Sequence, residues 1–172
     1  MAQHENPQIA DIIRIREAVP ADRPQLIALI NTAFSVETFL DETRTDEERL
    51  TAMMAKGGIL LAQGADDRLL GSVYMERRGR RGYLGMLAVD PGQQGKGLAR
   101  RLVDAVEDRF RRQGCSGVDI SVLSLRPELL PIYRRFGYIE TGTEEFKPSR
   151  PLRPGLECHC IVMSKQFPPP RF

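Results

Sequence analysis

The chain has 172 residues, 41% of them hydrophobic, which suits one globular domain with a buried core. Its net charge of +2 compels neither a nucleic-acid nor a membrane role, and no apolar run approaches the roughly 20 residues of a membrane span. The polar first residues do not read as a signal peptide, so a cytoplasmic protein is the expectation, and three cysteines make no disulfide framework.

In chain order, residues 1–11 read as a flexible tail, 12–167 as one domain, and 168–172 as a proline-rich extension. Alternation over 12–16 predicts a first strand. Pro20 and Pro24 open a helix with Leu26, Ile27, Ile30, Ala33 and Phe34 on one face. Thr45 with Glu48 three residues on reads as a capping box, starting a second helix that stops at Gly57-Gly58. Residues 59–63 and 69–77 read as strands joined by a turn at 64–67, and an arginine-rich turn at Gly79 leads to an uncharged strand over 83–89. A helix follows with Leu98, Leu102, Val106 and Phe110 at four-residue spacing. Glu107 with Arg111 and Asp108 with Arg112 read as acid-before-base pairs on its exposed side. Strand 118–123, a short helix around Tyr133, and strands 137–146 and 157–165 complete the order βααβββαβαββ, with a proline loop over 147–155.

The most informative stretch is the junction after the uncharged strand. Asp90-Pro91-Gly92 ends the strand, and Gln94-Gly95-Lys96-Gly97-Leu98-Ala99-Arg100 runs into the helix. Glycines there let backbone N–H groups converge, and the helix N-terminus, Lys96, Arg100 and Arg101 add positive charge; this is a phosphate cradle. Gly92 to Gly97 has the wrong spacing for a P-loop and no hydroxyl after Lys96. Gly95-x-Gly97 fails the dinucleotide fingerprint because Arg100 stands where its third glycine belongs.

Gln94-x-x-Gly97-x-Ala99 does resemble the Q/R-x-x-G-x-G/A signature of the GNAT superfamily of acyl-CoA N-acyltransferases. Residues 129–138, with Tyr133 and Gly137, resemble that family's later A-x-x-L-Y-x-x-x-G-F segment. The resemblance implies an α/β (α+β) GNAT fold, a mixed, mostly antiparallel sheet flanked by helices. It implies acetyl transfer from acetyl-CoA to a primary amine of a small molecule or peptide by direct attack on the thioester. It places coenzyme A on the N–H groups of Gln94, Gly95, Lys96, Gly97, Leu98, Ala99 and Arg100 and on the backbone of Leu87 and Val89. In the family the strand carrying those two bulges, and Gly85 is where a bulge would be tolerated. The resemblance makes Tyr133 the general acid. Arg126 stands where the family usually has an Asn that contacts the pantetheine arm. The resemblance also allows a homodimer.

The base is not legible: Glu76 and Glu37 are both candidates, and each also reads as a solvated surface carboxylate. Arg150 and Arg153, in the loop expected to flank the acceptor, favour an amine bearing a carboxylate or phosphate. Cys158-His159-Cys160 on a strand points its cysteines one way and its histidine the other, so no metal site is expected. Two other functions compete. One is a non-catalytic acyl-CoA-binding module, which would have no use for an acid at Tyr133. The other is RNA binding by the arginines at 77–81, which lack the interleaved aromatics that nucleic-acid surfaces use.

Overall fold

The computed structural model describes residues 12–148 and 150–171; the tail expected over 1–11 lies outside them. The chain runs β1 (Arg14–Glu17), α1 (Arg23–Ala33), α2 (Glu47–Lys56), β2 (Gly58–Gln63), β3 (Leu69–Arg78), β4 (Arg81–Val89), α3 (Leu98–Arg112), β5 (Gly117–Leu123), α4 (Leu129–Arg135), β6 (Ile139–Glu145) and β7 (His159–Gln166). Two short 3-10 turns, Pro20–Asp22 and Pro91–Gln93, are additions to the expected elements. The seven strands form one sheet in the order β1-β2-β3-β4-β5-β7-β6, so the last two exchange places relative to chain order. Only β4 and β5 pair in parallel.

Period-two alternation distributes the core over both faces of the sheet. Leu60 and Ala62 of β2 face α3 and meet Leu98, Leu102, Val106 and Phe110, all buried as their spacing predicts. Ile59 and Leu61 face the other way, onto Leu26, Leu29 and Ile30 of α1 and Leu50 of α2. Gly82 has a packing reason: a Cβ there would lie 2.3 Å from Phe110, which presses against β4.

Four local expectations need correction. The N-cap of α2 is Asp46, whose carboxylate accepts from the Arg49 amide at 2.8 Å, while Thr45 is buried just before it. The first strand begins at Arg14, leaving Ile12 exposed. Glu107 is not on a solvated face. It is 2% exposed and accepts from the Tyr138 hydroxyl at 3.0 Å, from Lys165 at 2.9 Å and from Arg111 at 3.2 Å. Arg111 also binds Asp108 at 2.9 Å, the acid that had been assigned to Arg112.

Lys165 joins this network to the end of α4, donating to the Phe136 carbonyl at 2.9 Å. Glu107 therefore ties α3, β7 and the α4–β6 junction together. Glu107→Ala would leave the Lys165 ammonium and the Tyr138 hydroxyl without their carboxylate, at a cost of about 3–5 kcal/mol in unfolding free energy. Denaturant titration measures this. A loss below about 1 kcal/mol, the worth of a surface pair, would show that the network is solvated after all.

Candidate active site

The parallel pairing of β4 with β5 lasts for two registered pairs, Gly82↔Val118 and Tyr83↔Asp119. Beyond them the strands diverge, and the edge of β4 that faces β5 keeps unpaired backbone groups. On its other edge β4 carries a bulge: Ser72 pairs with Ala88 and Tyr74 with Gly85, so Met86 and Leu87 together oppose Val73. Met86 takes φ 46°, in the left-handed region that a non-glycine residue seldom enters. The bulge expected near Gly85 is therefore present, with its strained residue one position later.

The gap opens into a cavity of about 1320 Å³, more than a single drug-sized ligand requires. It runs from the cradle, past β4 residues Gly85, Met86, Leu87 and Val89, to Tyr83, Glu76 and Glu37. At the cradle Gly97 is the N-cap of α3 with φ 77°, and Gly95 has the same φ. A Cβ on either glycine would meet nothing within 4 Å, so the space in front of them is open. Among the described residues, the amides of Gln94, Gly95, Lys96 and Gly97 donate to no backbone carbonyl. The first amides of α3, including Leu98, Ala99 and Arg100, have no carbonyl one turn below. These groups and the helix dipole fit a pyrophosphate, and the unpaired edge of β4 fits the extended arm of coenzyme A. The Leu98 side chain packs into the core while its amide faces the cradle. The Lys96 side chain is exposed, with its Nζ 3.4 Å from Gln93 Oε1.

Tyr133 of α4 also lines the cavity, against Phe136 and Tyr138 in edge-to-face contacts with centroids 6.1 Å away in each case. Its hydroxyl makes no hydrogen bond among the described residues. Burial, with a smaller contribution from Tyr83, pushes its pKa up to about 12 despite the opposing charge of Arg126. Tyr133 is thus a protonated donor in the neutral range, free to serve a ligand.

The two candidate bases have different surroundings, and neither is the solvated carboxylate expected. Glu37 is 5% exposed, and both its oxygens are taken: Oε2 by Arg126 at 3.0 Å and Oε1 by Arg150. Arg126 also binds Glu128 at 2.5 Å. The Arg150–Glu37 pair, an isolated Leu40↔Leu152 bridge and a bond from the Asp41 amide to the Pro151 carbonyl pin the proline loop to the 37–41 segment. Glu76 faces the cavity and accepts from the Tyr74 hydroxyl at 3.0 Å and Arg78 at 3.2 Å, with Lys56 at 3.7 Å. Burial raises its pKa, but Arg78, Tyr74 and Lys56 outweigh that and hold it below the usual carboxylate range.

Two arginines of the turn have partners within the protein. Arg78 stacks 3.8 Å from the Tyr83 ring centroid, and Arg81 binds Asp119 with two bonds of 2.7 and 2.8 Å. Cys160 is buried, which with nearby Glu144 and Cys158 pushes its pKa up to about 11, while His159 is exposed. Among the described residues no group of three or more His, Cys, Asp or Glu is placed to hold a metal ion, and no helix is long and apolar enough to cross a membrane. Sequence reasoning missed Tyr83, Tyr74 and Arg44, which line the acceptor end of the cavity. The aromatics on adjacent strands were the available signal for the first two; nothing local marked Arg44.

Residues 22–149 match the family described as acetyltransferase (GNAT) domain. Over 141 residues the chain is 29% identical to glucosamine 6-phosphate N-acetyltransferase 1 of Oryza sativa subsp. japonica, covering 76% of this chain and 84% of the relative. It is also 29% identical over 141 residues to a mycothiol acetyltransferase of Propionibacterium freudenreichii subsp. shermanii, covering 77% of this chain but only 45% of that protein. The structure of yncA from Salmonella typhimurium, solved with its cofactor acetyl-CoA, superposes with a TM-score of 0.72 at 20% identity, covering 94% of this chain and 98% of that one. The chain belongs to the GNAT acetyltransferase family, whose members move an acetyl group from acetyl-CoA to an amine.

Proposed function

We propose that this chain performs that transfer in the gap between β4 and β5, with the cradle at one end and the amine acceptor at the other. One observation carries the assignment of roles. A single cavity joins the open glycine turn, the unpaired bulged edge of β4 and a half-buried tyrosine whose hydroxyl has no partner among the described residues. Acetyl-CoA supplies the activated acetyl thioester. The amides of Gln94 to Arg100 bind its pyrophosphate, and the free edge of β4 at Leu87 and Val89 aligns its arm and polarises the carbonyl. Tyr133 donates a hydrogen bond to the departing sulfur as charge develops on it.

Glu76, rather than Glu37, is the residue that receives the proton of the incoming ammonium, through water. Glu37 spends both oxygens on arginines, whereas Glu76 is ionised and open to the cavity. Glu76→Gln preserves the shape and removes the charge, and should lower turnover about 10²-fold near neutral pH. The deficit should shrink as pH rises past the pKa of the amine, because a neutral amine needs no base. A deficit that is constant with pH would make Glu76 a packing residue.

Thiol release from acetyl-CoA across a panel of primary amines, with the acetylated product identified by mass spectrometry, tests the function itself. Amine-dependent release is expected. Tight acetyl-CoA binding with no amine-dependent release would overturn the reading.

A further inference from the structure

The acceptor end of the cavity holds a cation that has no ion-pair partner among the described residues. Arg44 lines the cavity beside Glu37 and Tyr83, with its guanidinium 5.2 Å from the Phe34 ring centroid. Its Nε is buried and has no hydrogen-bond partner, and among the described residues Arg44 makes no ion pair. Glu37, the carboxylate beside it, is already held by Arg126 and Arg150. The other arginines near this end are paired: Arg78 with Glu76, Arg126 with Glu37 and Glu128, and Arg153 with Asp41 at 3.2 Å. Arg150 and Arg153, expected from the sequence to attract an acidic acceptor, are therefore spent on the protein itself.

A guanidinium keeps its charge near neutral pH, and a buried N–H donor without a partner is unfavourable. The stacked Phe34 ring offsets part of that cost but leaves the planar fork of N–H donors unused. We propose that Arg44 receives an anionic group, a carboxylate or a phosphate, carried by the amine acceptor. This rests on the acetyl-transfer reading above and names the acceptor's class. The position suits a small molecule. Tyr83, beside Arg44, and the bulge at Met86 are three residues apart on β4, about 10 Å of strand. An acceptor with its anion at Arg44 therefore spans from Arg44 to the bulge when its amine lies within that reach. Lys147, exposed at the rim, adds to the positive potential at the entrance.

The test uses matched primary amines with acetyl-CoA: glucosamine 6-phosphate against glucosamine, amino acids against their amides, and spermidine. The best acceptor should carry the anion, and the phosphate and carboxylate arms tell which anion it is. Arg44→Met keeps the apolar stem over Phe34 and should lower kcat/KM for that acceptor by about 10- to 100-fold, the worth of a charge-assisted hydrogen bond. Arg44→Lys, a point charge without the fork, should fall between. Turnover of the uncharged counterpart should change less than about threefold, which also shows that the variants are folded. Spermidine or an amide as best substrate, or equal losses on both members of a pair, would overturn the inference while leaving acetyl transfer intact. No turnover with any amine would overturn the acetyl-transfer reading and this inference with it.

Discussion

Gly97→Val is expected to bind acetyl-CoA at least about 10²-fold more weakly than the wild type while remaining folded, because two or more charge-assisted bonds to the pyrophosphate would be lost. Gly97 caps α3 at φ 77°, and a Cβ there projects into the open space in front of the cradle rather than into protein. The substitution thus combines a strained backbone, costing of order 1–2 kcal/mol, with an obstruction at the point of closest approach. Gly97→Asn separates the two effects, since Asn tolerates the left-handed region but still fills the space. Calorimetric titration with acetyl-CoA should show weakened binding in both variants and thermal unfolding close to wild type in the Asn variant. Wild-type affinity in Gly97→Asn would remove the pyrophosphate from this turn.

Tyr133→Phe should lower kcat about 10²–10³-fold with little change in acetyl-CoA affinity, the effect of deleting one positioned donor. The ring packing against Phe136 and Tyr138 is retained, so stability should hold. The raised pKa of Tyr133, about 12, decides what kind of donor it is. A free thiol has a pKa near 8.5, so full proton transfer from this phenol to a thiolate is uphill until the sulfur is itself buried. The hydroxyl therefore acts mainly by hydrogen bonding to charge as it develops on sulfur. The sign of its pH dependence follows from the same shift. The protonated phenol is the active form, and it persists until pH rises through the folded pKa, so no loss of activity from Tyr133 should set in below about pH 10. Unchanged turnover in Tyr133→Phe would leave the tyrosine a packing residue.

The parts of this molecule legible in its sequence were those written in periodicity and punctuation. Four-residue apolar spacing placed Leu98, Leu102, Val106 and Phe110 in the core. Asp90-Pro91-Gly92 marked the end of β4, and the glycines at 95 and 97 marked the cradle. What stayed hidden depends on partners distant in the chain. Glu107 and Arg111 at helical spacing look the same on a wet face as in a buried network, and Lys165, the partner that decides, lies 58 residues on. Glu37 looked like a solvated acid because Arg126 and Arg150 come from elements 89 and 113 residues away. Arg44 carries no local signal at all. Its meaning arises only once the fold has paired Arg78, Arg126, Arg150 and Arg153 and left it over. The cap of α2 slipped by one residue, from Thr45 to Asp46, because both side chains can accept from an amide and only backbone geometry chooses.

The most direct test of the account is a crystal structure of the chain with coenzyme A. The pyrophosphate should lie against the amides of residues 94–100, the pantetheine arm along the unpaired edge of β4 from Val89 toward Met86, and the sulfur within hydrogen-bond reach of the Tyr133 hydroxyl. Coenzyme A bound away from the β4–β5 gap, or bound there with its sulfur directed away from Tyr133, would contradict it.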